Sequence, residues 1–252
     1  MGDVGLGSEQ QQAPEVSLVI PVYNEEESLQ PLWEAVRPAL ESLGRRWEIV
    51  LVDDGSKDAS LEKMRALRAQ DRRVRVIRFE KNLGQSAAFW CGFQHARAPI
   101  LVTMDADLQN DPGDIPQMLD SLKTADMAIG WRHERHDPLM KRLVSKFGNA
   151  FRNWLTKEQV HDVGCSLKAF RREVVARMFP FRGMHRFYPS LARMAGFRVV
   201  EIKVRHHPRE RGKSKYGVFN RMIGPVRDCF AVRWMKQRYV GHVQAIEVDH
   251  VG

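Results

Sequence analysis

At 252 residues and 43% hydrophobic content, the chain is long enough for one large domain with a substantial core. A formal net charge of +9 favours anionic partners: phosphorylated metabolites, nucleic acid or an acidic membrane surface. Cys91, Cys165 and Cys229 are too scattered for a disulfide framework or a zinc finger, and no segment approaches the roughly 18 apolar residues that span a bilayer. Residues 1–15 are Gly- and Gln-rich without an apolar run, so they read as a disordered leader and not as a signal peptide. Val16 to Val22 then predicts a first strand, closed by Tyr23-Asn24-Glu25. Ser28 precedes an amphipathic helix carrying Leu29, Leu32, Trp33, Val36 and Leu40. Trp47 to Val52 is a second strand ending in Asp53-Asp54-Gly55-Ser56, and a helix near Ser60 to Gln70 leads to a strand at Val74 to Phe79. After the turn Asn82-Leu83-Gly84, a helix from Gln85 to Ala96 returns the chain to the apolar run Pro99 to Met104. A helix near Asp114 to Lys123 and a strand near Met127 to Trp131 follow. This alternation predicts an α/β fold, a mostly parallel sheet with helices on both faces.

Beyond Trp131 the texture changes. Arg132 to Leu155 is basic and reads as helical, Gly164 to Phe170 and Val199 to Val204 as strands, and Arg186 to Ala195 as a helix between them. His206-His207 reads as the cap of a strand end. Arg209 to Lys215 is a basic loop with one glycine. From residue 217 to 238 a basic amphipathic segment places Phe219, Ile223, Val226, Phe230 and Trp234 on one helical face, with Pro225 predicting a kink or two short helices. The domain reading is therefore a leader over 1–15, one catalytic-sized domain over 16–216, the basic segment over 217–238 and a tail over 239–252.

The most informative residues stand where strands end. Asp105 and Asp107 sit one residue apart after a buried strand, at the edge where open α/β sheets bind ligands. Two carboxylates that close repel unless a cation neutralises them, and hard oxygen ligands suit Mg²⁺ or Mn²⁺ with substrate phosphates completing the shell. Tyr23 to Glu25 and Asp53 to Gly55 should open on the same edge. No G-x-G-x-x-G follows the first strand and no G-x-x-x-x-G-K-[ST] occurs, which argues against dinucleotide oxidoreductases and P-loop enzymes.

In that order, Pro21-Val-Tyr-Asn-Glu25, Val52-Asp-Asp-Gly-Ser56, Asp105-Ala-Asp-Leu-Gln109 and Arg209-Glu-Arg-Gly-Lys-Ser-Lys215 resemble glycosyltransferase family 2, and within it the dolichol- and polyprenol-phosphate sugar synthases. The resemblance runs from about Val16 to Met235 and implies a GT-A fold. It also implies inverting, metal-dependent transfer of a sugar from a nucleotide-sugar, GDP-mannose or a UDP-sugar, to the phosphate of a polyprenyl or dolichyl phosphate. It implies that Pro21, Tyr23, Glu25, Val52 and Asp54 line the nucleotide pocket, that Asp105, Asp107 and Gln109 surround Mg²⁺ or Mn²⁺, and that Ala106 touches the donor through its backbone. Arg132, Arg209 and Lys215 would meet phosphates, with Asp105, Asp107 and Arg132 carrying catalysis. Lys141, Arg142 and Ser145 fall where relatives hold the lipid phosphate, and Asp162 in the acceptor loop would orient an arginine.

The lipid acceptor implies a peripheral protein on the cytoplasmic face of a membrane, held by the 217–238 segment, by an anchoring partner subunit or by substrate alone. Two other readings stay open: transfer to a soluble or glycan acceptor, and a non-catalytic nucleotide- or membrane-binding scaffold. Charge alone also allows nucleic acid, but no DNA- or RNA-binding module accompanies it, so no nucleic-acid partner is expected.

Overall fold

The computed structural model describes residues 13–133, 150–208 and 220–241, with the side chains of 220–223 and 225 excepted. Seven strands form one sheet in the order β3-β2-β1-β4-β6-β5-β7. They are β1 (Val16–Val22), β2 (Trp47–Asp53), β3 (Val74–Arg78), β4 (Ile100–Thr103), β5 (Met127–Arg132), β6 (Lys168–Arg171) and β7 (Val199–Val204). The helices are α1 (Leu29–Glu41), α2 (Ser60–Gln70), α3 (Gln85–His95), α4 (Ile115–Ser121), α5 over residues 150–156, α6 (Arg172–Ala176), α7 (Tyr188–Met194) and α8 (Asn220–Arg238).

Strands β1, β2, β3 and β4 are parallel, as are β5 and β7, while β6 runs antiparallel to both β4 and β5. The expected mostly parallel sheet with helices on both faces is therefore present, with one reversed strand. Alternation along β1 explains the two cores. Leu18, Ile20 and Val22 join Ile49 and Leu51 of β2 against α1, α2 and α4. On the other side, Val19, Val50 and Val52 meet Phe89 and Phe93 of α3 and Tyr188 of α7. At Gly92 the contact between α3 and β1 is close: a Cβ there would lie 2.2 Å from Val19 Cγ1.

Several boundaries differ from the sequence reading. The β6 strand begins at Lys168, and the residues before it, from Asp162 to Ser166, are held by hydrogen bonds to side chains. A short 3₁₀ turn over Pro112–Asp114 precedes α4, and another over Met184–Arg186 precedes α7. Of the two outcomes expected at Pro225, the split into two short helices does not occur: α8 is one helix from Asn220 to Arg238. Pro225 lies one turn into that helix, so the only acceptor it deprives is the carbonyl of residue 221, in the first turn. Residues 1–12, most of the basic 132–155 stretch and residues 209–219, which include the expected basic loop from Arg209 to Lys215, lie outside the described residues.

The neighbours of β1 are β2 on one side and β4 on the other, so chain direction around the sheet reverses between β1 and β4. The crevice at such a switch point, beyond the carboxyl ends of the strands, is where doubly wound sheets bind ligands. Tyr23 to Glu25 follow β1 and Asp105 to Gln109 follow β4, so both segments border that crevice.

Candidate active site at the carboxyl edge of the sheet

The loops after β1 and β2 are laced together. Asn24, with φ of 50°, donates its N–H to Ser56 Oγ at 3.0 Å and accepts from Lys57 N–H at 2.7 Å. Glu25 N–H donates to Ser60 Oγ at 2.8 Å, and the Glu25 carboxylate accepts the Ser28 hydroxyl at 3.0 Å. Pro21 and Tyr23 are half-buried and Val52 is buried beside them. Asp54 is buried, and its carboxylate accepts from Leu83 N–H at 2.7 Å, from Gly84 N–H and from the Asn82 amide at 3.0 Å. Burial pushes its pKa up, and those N–H groups only partly offset the rise. Asp54 therefore gives this edge a fixed 82–84 turn. Next to it, Asp53 Oδ1 accepts Ser56 N–H at 2.9 Å, while Oδ2 is buried with no hydrogen-bond partner among the described residues.

Asp105 is held on two sides. Its N–H donates to Ser166 Oγ at 3.1 Å, and its Oδ1 accepts the Gln85 amide, from the first residue of α3, at 2.6 Å. Ser166 is itself fixed: its hydroxyl donates to Asn110 Oδ1 at 2.6 Å and its carbonyl accepts Thr103 Oγ1 at 2.7 Å. Ala106 is buried, and Leu108 takes the left-handed conformation (φ 60°) that turns the chain back on itself. That turn lets Gln109 N–H reach Asp107 Oδ1 at 3.2 Å. His206 bridges to Asn110 in antiparallel fashion and His207 N–H donates to Gln109 O at 3.0 Å, so the end of β7 clamps this loop. The expected cap is thus a clamp on the acid loop.

Burial first, and the Asp107 charge second, raise the Asp105 carboxyl to about 6. The offsetting cation is Lys168, buried on β6, whose ammonium donates to the Cys165 carbonyl. Burial in turn depresses the Lys168 pKa, against the pull of Asp105 and Asp162. Sequence reasoning missed Lys168, although a lysine inside Leu167-Lys168-Ala169-Phe170 is the signal that could have found it. Gln85 and Ser166 were missed as well, because nothing local marks them.

Arg132 ends β5 and forms a two-pronged pair with Asp162: Nε to Oδ2 at 2.6 Å and Nη2 to Oδ1 at 2.9 Å. Asp162 is buried and also accepts Gly164 N–H at 3.1 Å. At Gly164 a Cβ would lie 3.0 Å from Arg132 Nη2, so a side chain there would push the guanidinium by a few tenths of an ångström. The segment from Asp162 to Lys168 thus holds Arg132 at one end, the Asp105 backbone in the middle through Ser166, and the buried ammonium at the other. This brings Arg132, Asp162, Asp105 and Asp107 to one region. Arg209, Lys215, Lys141, Arg142 and Ser145 lie outside the described residues.

Residues 17–179 match the family model for glycosyl transferase family 2, which covers more than half of the chain. The chain belongs to glycosyl transferase family 2. It is 42% identical over 227 residues to dodecaprenyl-phosphate galacturonate synthase of Rhizobium johnstonii, covering 88% of this chain and 67% of that protein. It is 40% identical over 215 residues to undecaprenyl-phosphate 4-deoxy-4-formamido-L-arabinose transferase of Salmonella paratyphi B, covering 84% of this chain and 65% of the relative. The chain therefore spans about two thirds of the length of these curated relatives.

Among solved structures, glucosyl-3-phosphoglycerate synthase of Mycobacterium tuberculosis, crystallised with Mn²⁺, UDP and phosphoglyceric acid, superposes with a TM-score of 0.66. The two are 18% identical, over 88% of this chain and 78% of that one. A mannosyltransferase of Pyrobaculum calidifontis with GDP-Man and Mn²⁺ gives a TM-score of 0.58 at 17% identity, over 89% and 70% of the two chains. Both establish the GT-A-like fold of this family 2 chain and nothing finer.

A loop outside the sequence-derived site also reaches this edge. Ser86, next to Gln85, shares a 2.6 Å hydrogen bond with His185 Nδ1, and its oxygen accepts Gly183 N–H at 3.0 Å. Burial foremost, then the Arg186 and Lys168 charges, depress the His185 pKa to about 3, so the ring is neutral. The 183–186 loop is thereby tied to the start of α3, directly beside the residue that holds Asp105.

Proposed function

We propose that this family 2 chain transfers a sugar, with inversion, from a nucleotide-sugar to the phosphate of a polyprenyl phosphate at a membrane surface. The observation that carries the reading is the agreement between its relatives. Their names differ in the sugar, galacturonate in one and a formamido-arabinose in the other, and agree on a polyprenyl-phosphate carrier. The carrier class is thus better supported than any donor, whether GDP-mannose or a UDP-sugar.

The acid pair fits a divalent cation. Asp105 is raised to about 6 by burial foremost and by the neighbouring Asp107 charge second, with the buried Lys168 as the offsetting charge, and a bound cation would offset both causes. Among the described residues no three His, Cys, Asp or Glu side chains converge as a complete metal cage. Mg²⁺ and Mn²⁺ sites with one or two carboxylates commonly leave the rest of the shell to phosphate oxygens and water. Asp105, Asp107 and Gln109 would hold the ion, which when bound would stabilise the departing nucleoside diphosphate as a Lewis acid.

The chain's own residues supply orientation. Gln85 and Ser166 fix Asp105, while Asp162 sets the plane of the Arg132 guanidinium, a group suited to gripping phosphate in two places. Pro21, Tyr23, Glu25, Val52 and the turn fixed by Asp54 are proposed to wall the nucleotide. Arg209 and Lys215 are proposed to meet donor phosphate, and Lys141, Arg142 and Ser145 the acceptor phosphate. The acceptor is a phosphate monoester with a second pKa near 6, so it is anionic at neutral pH and needs no strong general base.

A labelled sugar-nucleotide panel offered with polyprenyl phosphate, and in parallel with soluble phosphorylated and glycan acceptors, tests the proposal. Product on the lipid phosphate supports it. Product on the soluble acceptors alone, or none with any donor, refutes it.

A further inference from the structure

One helix face in this structure is apolar and left exposed among the described residues. Along α8, Val226, Phe230 and Trp234 recur every four residues and so share a face; they are 38%, 56% and 62% exposed. The opposite side is anchored: Cys229 and Val232 are buried in the core with Leu155 of α5. Arg233 Nη1 also donates to the Leu155 carbonyl at 3.4 Å, and Lys236 pairs with Glu158 at 3.0 Å. The helix is therefore docked firmly with its aromatic stripe outward. The neighbouring α5 shows more of the same, with Trp154 70% exposed.

The charge on this helix is one-sided. Arg233 and Lys236 are engaged with α5 and Glu158, but Arg227 stands exposed beside the stripe and Arg238, also exposed, continues it one turn beyond Trp234, against the single described acid of the helix, Asp228. We infer that the Val226–Phe230–Trp234 stripe of α8 is a docking face for an anionic lipid bilayer, lying in its headgroup layer with the flanking arginines on lipid phosphates. The inference deepens the proposed function, since it takes the acceptor to be a membrane lipid. Aromatic side chains favour that layer, and clustered cations add attraction to an anionic leaflet that salt weakens. A symmetric contact with a second copy is disfavoured, because it would set the arginine-rich flanks of two stripes against each other.

The same helix leads to the site. Asp228 lies against the 183–186 loop, so near that a Cβ on Gly183 would be 2.5 Å from Asp228 Oδ2. Gly183 N–H holds Ser86 Oγ, and Gln85 beside it holds Asp105. One helix and one loop thus connect the stripe to the carboxylates, which would set the acid pair beside the leaflet that presents the carrier phosphate.

The test is co-sedimentation of the full chain with vesicles lacking acceptor, made either of phosphatidylcholine alone or of phosphatidylcholine mixed with phosphatidylglycerol. The expected result is binding to the mixed vesicles that high salt reverses. Phe230→Ser with Trp234→Ser should weaken it about tenfold or more, since it strips the largest apolar area from the face. Both side chains are exposed, so the melting temperature should hold. Turnover of a short, water-soluble isoprenyl phosphate should match wild type, while turnover of vesicle-borne acceptor falls with binding. Wild-type partitioning by the double variant would overturn the inference. So would a stripe-dependent dimer in sedimentation velocity without vesicle binding. If no acceptor is turned over while vesicle binding behaves as expected, the docking face stands and the transfer reading fails.

Discussion

The pairing of Arg132 with Asp162 offers the sharpest test of how the site is assembled. Asp162→Asn keeps the shape and one oxygen while removing the charge and one of the two guanidinium hydrogen bonds, at 2.6 and 2.9 Å. A hydrogen bond to a charged group contributes about 1.5–3 kcal/mol, and the Asp162 side chain is only 4% exposed. The Arg132 side chain is 14% exposed and can regain some hydration, so the stability loss should fall near the lower end, about 1–2 kcal/mol. Urea denaturation reads that number. The functional effect should be separable from the folding effect, because freeing the guanidinium plane removes orientation from a protein that stays folded. A fall in kcat/KM of at least about tenfold corresponds to only ~1.4 kcal/mol of transition-state stabilisation. The control is Glu41→Gln, which disrupts the exposed pairs with Arg37 and Arg73 and should leave activity unchanged. Wild-type kcat/KM in Asp162→Asn would refute the positioning role, and an equal loss in the control would show that the assay reads charge and not geometry.

Three further outcomes follow from the same structure. Gly92→Ala should lower stability by about 1–3 kcal/mol in thermal or urea melts, because the new methyl would meet Val19 Cγ1 at 2.2 Å. Glu48 is buried, which alone would raise its pKa, but the Ser17 hydroxyl and the Arg97 N–H and guanidinium outweigh burial and hold it below the usual 4.5. Its folded-state value is thus depressed, so its stabilisation is present above pH 4.5 and is lost as pH falls through the lower folded value. Glu48→Gln should flatten that acid limb in urea melts, and an unchanged limb would contradict the assignment. Chelation should abolish sugar transfer in the wild type, and Mg²⁺ or Mn²⁺ should restore it; activity that survives exhaustive chelation counts against the metal.

Much of this arrangement was legible before any coordinates. The apolar runs of β1, β2 and β4 announce buried strands, and each ends in the polar residues that now border the crevice. Asp162 was expected to orient an arginine, and it pairs with Arg132. What stayed hidden depends on contacts distant in sequence. The direction of β6 is set by the loop before it, since a four-residue strand carries no mark of its polarity. Asp54 meets a turn some thirty residues later, and Lys168 reads as an interruption of an apolar run until β6 is paired beside β4. Pro225 does not split α8 because the usual cost of proline assumes a helix interior, whereas here the affected turn is the first.

Direct binding of a nucleoside diphosphate, by calorimetry with and without divalent metal, tests the central claim: that the carboxylate pair beyond β4 holds a metal–diphosphate complex. The wild type should bind UDP or GDP tightly only when Mg²⁺ or Mn²⁺ is present, and Asp107→Ala, with an unchanged melting temperature, should bind neither. Metal-dependent binding of equal affinity in Asp107→Ala would contradict the account.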